Sequence, residues 1–407
     1  MKILGVIVEY NPFHNGHLYH LEKSKKISGS THTVAVMSGH FLQRGEPALM
    51  DKWTRARIAV ENGVDLVIEL PFAYSCQSAD IFAYGSIQML HYLNIVDTVV
   101  FGCEDNDLDA LMKVKNIIRY EPKDFQVLLK KYLNEGKSFP KARELALQSF
   151  LPGQEKIIST PNNILAIAYL KWLDTFNSPM IPIPIRRKST GYHDIQPADN
   201  IASATYIRNE IAKHNKADPI ALLVPPVTFR NMVEYEKAQD YNHLENYYPL
   251  IKSNILRSTK DELSKYFDVN EGLENRIFKA FGNSTSMDNL IKNMGTKRYT
   301  STRIKRILFN HLLNHNKKEV FRVYKDKHFL PYTRILAFNE KGKEIIVHIK
   351  NNSSSPMITN VGRAYHGLTP QQQYVLDKDI LATDFYNLPL QGSLFHMDYY
   401  KKPEIIK

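Results

Sequence analysis

A chain of 407 residues, 43% hydrophobic and 23% charged, has the balance of a soluble globular protein and is too long for one typical core, so two or three domains are expected. Its 53 Lys+Arg against 42 Asp+Glu leave a formal net charge of +11, an excess that favours a polyanionic partner. With no secretory signal pattern, no apolar run long enough to span a bilayer, and only Cys76 and Cys103 outside any metal-ligand spacing, the chain reads as a cytoplasmic protein with no membrane partner.

Residues 3–8 are an apolar, β-branched run and predict a buried first strand, broken by Asn11-Pro12. Helical spacing follows over 18–27, then a second strand over 33–37 and a long loop, 38–50. Asp51 is placed to N-cap a helix through Trp53, Ile58 and Val60, which Gly63 ends. A third strand over 64–70 stops at Pro71; a helix carrying Ile81, Tyr84, Ile87 and Leu90 leads to a fourth strand over 98–101. This rhythm predicts an α/β fold with a doubly wound, Rossmann-like parallel sheet and right-handed crossovers. An insertion at about 106–150 reads as helical, Pro161 opens another helix, and the prolines of a fifth strand over 180–185 place it near an edge. The catalytic domain is expected to end near residue 215. Beyond it, 216–330 reads as a helical, basic RNA-binding region, and 331–407 as a small α/β region. That last part holds one strand at 334–338 and a stretch, 344–349, that fits either strand or helix.

Chemistry concentrates where the first strand hands over to the first helix, at Glu9-Tyr10-Asn11-Pro12-Phe13-His14-Asn15-Gly16-His17. A helix N-terminus at the carboxyl edge of a parallel sheet offers unpaired N–H groups and a positive dipole end to anions. Gly16 would let a phosphate approach the backbone, and His14 and His17 can each donate to phosphate oxygens. The expected nucleotide-binding stretch therefore runs through Ile7, Val8, these nine residues, Leu18, Tyr19 and His20. His-x-Gly-His after a first strand resembles the signature of the nucleotidyltransferase superfamily.

Four further groups are expected at the same edge. Ser38, Gly39, His40, Gln43 and Arg44 sit in the loop after the second strand and suggest a substrate-binding lid. Gly102 would let a ribose or adenine lie against the backbone, and Asn162, in a helix-capping turn, could read the nucleotide. Arg187 and Lys188 leave the fifth strand aimed at phosphates. Ser203, Thr205 and Arg208, in a Ser-x-Thr-x-Ile-Arg pattern, can converge on a pyrophosphate and resemble the superfamily's second signature.

The strings at 5–17, 37–48, 69–72 and 186–194 together resemble the bacterial tRNA(Met) cytidine acetate ligase family, most clearly over residues 1–210. The resemblance implies an enzyme that joins acetate to ATP as acetyl-adenylate. It then acetylates N4 of the wobble cytidine, C34, of elongator tRNA(Met). On that chemistry His14 and His17 would hold the α- and β-phosphates, while Arg187, Lys188 and Arg208 would take the charge growing on pyrophosphate. Mg²⁺ is expected with ATP, though no protein ligand for it can be named.

The basic second half is densest near Lys297, Arg298, Tyr299, Arg303, Lys305 and Arg306, where cations recur at helical spacing and Tyr299 could stack on an unpaired base. Two other readings fit parts of the chain. A cofactor-biosynthesis nucleotidyltransferase acting on a small phosphate ester would use the first half alone. A non-catalytic, nucleotide-dependent RNA-binding protein would tolerate loss of the histidine pair. A class I aminoacyl-tRNA synthetase is disfavoured, since no Lys-Met-Ser-Lys-Ser-like loop occurs.

Overall fold

The computed structural model describes residues 1–407 except 154, 188–199, 271, 326–328, 331 and 393, and the side chains of 155, 156 and 325. Five parallel strands form its centre: β1 (Ile3–Val8), β2 (His32–Ser38), β3 (Leu66–Leu70), β4 (Thr98–Cys103) and β5 (Ile181–Arg186). They lie in the order β5-β4-β1-β2-β3, so the winding reverses between β1 and β4. In such sheets ligands bind at the carboxyl ends of the strands beside that reversal. The strand carrying the histidine motif is one of the two that flank it.

Both sheet faces are covered, which is why the strands read as unbroken apolar runs. Side chains alternate along a strand. Val34 and Val36 of β2 enter one core with α3 (Ala79–Leu93) and α4 (Pro161–Thr175), whereas Ala35 and Met37 enter the other with α1 (Asn15–Ser28) and α2 (Lys52–Glu61). Asp51 caps α2 as expected, accepting the Trp53 and Thr54 amides. The insertion is three helices, Leu108–Tyr120, Lys123–Asn134 and Phe139–Phe150. The proline-bearing β5 occupies the sheet edge. Among the described residues no helix is long and apolar enough to cross a membrane.

The change of composition near residue 215 is not a boundary of the sheet. After α5 (Ala204–His214) the chain builds a helical cluster that includes α6 (Ser301–Leu312). It then returns to the sheet as β6 (Thr333–Phe338), antiparallel to β3, with β7 (Met357–Ile358) and β8 (Glu404–Ile405) both pairing β6. The ambiguous 344–349 stretch lies in the helix Glu340–Asn352.

A buried charge cluster fastens this return. Lys52 Nζ of α2 lies 2.7 and 2.9 Å from the Glu69 carboxylate of β3 and 2.8 Å from Asp398 Oδ1. Arg334 of β6 pairs with Asp398 and stands 3.4 Å from Glu69 Oε2. Two cations thus face two carboxylates, with no side chain in the cluster more than 4% exposed. Removing one member of such a set strands an uncompensated buried charge. Asp398→Ala should cost about 3–5 kcal/mol of unfolding free energy in a urea titration. A loss under about 1 kcal/mol, the range of exposed pairs, would show that the cluster does not fasten the C-terminal strands.

Candidate functional site

At the end of β1 the chain turns sharply, through Tyr10 at φ 47° and a cis Asn11-Pro12 bond, and enters α1 at His14. His14 is the N-cap; His17 Nδ1 accepts its amide at 3.3 Å, and the two rings stack with centroids 3.7 Å apart. Tyr10 and Phe13 are buried and pack on His17, Tyr10 edge-on and Phe13 tilted. Gly16 makes room for an imidazole: a Cβ there would sit 2.9 Å from Cε1 and 3.0 Å from Nδ1 of His14. Asn15 is a brace, its side chain donating to the Asn200 and Leu222 carbonyls at 2.9 Å each.

Three buried nitrogens here have no partner among the described residues: Asn11 Nδ2, His14 Nδ1 and His20 Nε2. Burying polar groups unpaired is unfavourable, so such atoms point to a ligand that completes them. The imidazoles are neutral. Burial first, then the charges of Arg187 and Arg208, pulls His14 down to about 3. Burial likewise takes His20 to about 4 and His17 well below its usual value. Glu9, half-buried at the strand end, is raised by burial against the opposing pull of the Gln43 amide and of Arg208, Arg44 and Arg55.

The cations converge from separate segments. Arg208 Nη1 donates to the Asn11 carbonyl at 3.0 Å and its Nη2 to Thr205 Oγ1 at 3.3 Å. Ser203 caps α5, accepting the Tyr206 amide at 3.2 Å. Arg187 reaches Asn162 Oδ1 at 3.4 Å and lies across Gly102, where a Cβ would meet its Cγ at 3.1 Å. Gly102 therefore makes space for the aliphatic stem of Arg187. Asn162 is also held by Glu104, whose carboxylate accepts from its Nδ2 and, at 2.9 Å, from the Asn163 amide. Lys188 lies outside the described residues.

The 38–50 loop departs from the expected lid. Phe41, Leu42 and Ala48 are buried in the helical cluster. His40 is also buried: its ring tilts on Tyr386, its Nε2 accepts the Lys52 amide at 3.3 Å, and Nδ1 lies 3.2 Å from the Thr383 hydroxyl. It is a core histidine. Ser38 and Gly39 are buried as well. Gln43 and Arg44 face Glu9, the Gln43 amide donating to its Oε1 at 2.9 Å. Arg55 holds the loop to β1, donating to the Met50 carbonyl at 3.0 Å, the Glu9 carbonyl at 2.7 Å and the Gly39 carbonyl.

The basic stretch at 297–306 also differs. Tyr299 is buried with its hydroxyl on the Asn270 carbonyl, so it is no stacking platform. Arg303 is bidentate on Asp268 at 2.7 and 3.0 Å. Lys305 pairs with Glu46, and Arg306 donates to the Gln43 carbonyl at 3.3 Å. Three of its cations thus serve the protein, two of them bracing the loop, while Lys297 and Arg298 stay exposed. Sequence reasoning missed Arg55 and Glu104. The only signals were a cation on the apolar face of α2, between Trp53 and Ile58, and an acid just past a strand end.

The model of the HIGH Nucleotidyl Transferase family matches residues 1–399. The tRNA(Met) cytidine acetate ligase of Alkaliphilus metalliredigens is 44% identical over 411 residues, covering 97% of this chain and 96% of its own. That of Thermoanaerobacter sp. strain X514 is 43% identical with the same coverage. Among solved structures, Thermotoga maritima TmcAL bound with alpha-thio ATP matches with a TM-score of 0.92 at 32% identity over the full length of both chains. Its apo form matches at 0.93.

Two outcomes follow from this geometry. Gly16→Ala drives the His14 ring from its stack, and displacement of this order should lower ATP-dependent pyrophosphate release about 10²-fold in a protein whose circular dichroism is unchanged. Wild-type turnover would mean that the ring position is irrelevant. Histidines held neutral by the fold but free to protonate when unfolded confer stability that is present above their ordinary value, near 6.5, and lost as pH falls toward their depressed values. His14→Gln/His20→Gln should flatten the loss of urea stability between pH 7 and pH 5; parallel curves for both proteins would contradict neutral burial.

Proposed function

Since the chain belongs to the HIGH nucleotidyl transferase family, and within it to the tRNA(Met) cytidine acetate ligases, we propose that it is an ATP-dependent ligase that acetylates N4 of the wobble cytidine of elongator tRNA(Met). The supporting observation is the set of three buried nitrogens on Asn11, His14 and His20 that have no partner among the described residues, gathered beside Arg187 and Arg208 at the reversal of the sheet. A polyphosphate supplies acceptors for such donors, and the matched Thermotoga protein holds alpha-thio ATP.

In the first step an acetate oxygen attacks the α-phosphorus of ATP, the bond to the β-phosphate bridging oxygen breaks, and pyrophosphate leaves. No proton has to move. The site's work is therefore placement and charge stabilisation. Neutral His14 and His17 orient N–H donors on the α- and β-phosphates without adding positive charge, and Arg187, Lys188 and Arg208 take the charge gathering on pyrophosphate. In the second step the cytidine amine attacks the acetyl carbonyl, AMP departs, and the amine gives up one proton. Among the described residues no group of three His, Cys, Asp or Glu could hold a metal. The described residues thus offer no cage for the Mg²⁺ that accompanies ATP, and none of the steps assigned to the protein's residues runs through the ion.

The test is incubation of the purified protein with ATP, labelled acetate and total tRNA, followed by nucleoside analysis. Labelled N4-acetylcytidine in tRNA(Met) is expected, with AMP and pyrophosphate formed in equal amounts. Pyrophosphate release that needs a phosphate ester in place of acetate, with no labelled nucleoside, would instead select the cofactor-type nucleotidyltransferase.

A further inference from the structure

A second cleft of about 700 Å³ lies between the helical insertion and α4, away from the ends of β1 and β4. Its floor is aliphatic, made by Val114 and Ile118 of Leu108–Tyr120, Leu147 of Phe139–Phe150, and Ile164 and Ile167 of α4. Its rim is basic. Lys137, Lys141 and Arg143 come from the insertion, Lys171 from α4 and Lys297 from the stretch before α6, against Asp80, Glu135 and Glu144. Two of the acids are already paired within the rim, Asp80 with Lys171 at 2.6 Å and Glu144 with Lys141 at 2.7 Å.

We propose that this cleft seats an unpaired nucleotide of the anticodon loop neighbouring the cytidine that is modified; this rests on the function proposed above. The chemistry of the walls selects the occupant. A nucleobase presents a flat apolar face, which aliphatic side chains and a guanidinium plane such as Arg143 can sandwich, and its phosphates need the cationic rim. Arg143 is already oriented against a ring, its guanidinium 5.8 Å from the Phe139 centroid.

Position supports the same occupant. Helix α4 begins at the nucleotide site, where Asn162 meets Arg187, and its next turns supply Ile164, Ile167 and Lys171 to the cleft. At a rise of about 1.5 Å per residue, the path from Asn162 to Lys171 is about 14 Å. A strand bound in the cleft is therefore led toward the activated acetyl group. Lys297 and Thr300 line the cleft from the segment whose Lys305 and Arg306 brace the 38–50 loop, so an occupant touches the segment that supports that loop. The cations that the sequence placed on one RNA-facing helix are thus divided: Arg303, Lys305 and Arg306 hold the protein together, and Lys297 joins a cleft built mostly by the insertion.

The experiment compares wild type with Lys137→Ala/Lys141→Ala/Lys297→Ala, all exposed positions, and with the floor variant Ile118→Asn. Three readouts are taken on the full chain: pyrophosphate release from ATP and acetate without RNA, KM for tRNA(Met), and binding of an anticodon stem-loop at several salt concentrations. Expected are wild-type pyrophosphate release in both variants and a KM for tRNA raised about tenfold in each. The slope of log affinity against log salt should be shallower by about 2 in the triple variant, at about 0.7 per lost single-strand contact. An unchanged KM and slope would overturn the proposal, including in favour of an acidic protein segment as occupant. So would a fall in pyrophosphate release that matches the loss of transfer, because the variants would then be disturbing the nucleotide site. A wild-type protein that makes adenylate but acetylates no tRNA would sink the function and leave this cleft without its premise.

Discussion

Helix α2 carries two buried cations three residues apart, and the arrangement of the site depends on both. Lys52 reaches into the cluster with Glu69, Arg334 and Asp398, so it binds the core of the sheet to the strands added by the end of the chain. Arg55 reaches the other way, to the carbonyls of Glu9, Gly39 and Met50. Buried charges are tolerated only when paired and hydrogen-bonded, so neither side chain can move without exposing the other groups to an apolar interior. One helix thus connects the last residues of the chain to the turn that leads into the histidine motif.

That rigidity suits a site made of neutral donors. A protonated imidazole would attract phosphate more strongly, but Arg187 and Arg208 already supply charge and their field opposes a third cation. In the reaction proposed above, the part of His14 and His17 is direction: they are a stacked pair whose order depends on Gly16 leaving room and on Phe13 and Tyr10 packing behind. Direction is lost by small displacements where charge is not, which explains why so much of the surrounding structure consists of braces. Asn15, Arg208 and Glu104 each spend hydrogen bonds on backbone groups near the site, and the 38–50 loop gives its Gln43 amide to the Glu9 carboxylate.

The loop itself is a clamp between two halves of the molecule. Phe41 and Leu42 lie in the helical cluster, Gln43 meets Glu9, and Lys305 and Arg306 close over it from α6. The function proposed above joins adenylation and base acetylation in one polypeptide, and this contact is where the two halves meet.

The alternation of apolar strands and helices, the edge position of the proline-bearing strand, the Asp51 cap and the family were legible in the residues, because each depends on local periodicity, turn chemistry or a short contiguous string. The motif's location at the end of β1 followed from the same local order. Which of its neighbours act on a ligand and which act on the protein was not legible. His40 and Tyr299 look like functional side chains in the chain and are core residues in the fold. Arg303, Lys305 and Arg306 look like an RNA-facing row and are spent on Asp268, Glu46 and Gln43, partners between 35 and 263 residues away in the chain. The pairing of β6 with β3 spans a similar separation. A charge or a ring carries the same local signature whether its partner is solvent, a ligand or a distant carboxylate. Burial decides among these, and burial is a property of the packed molecule.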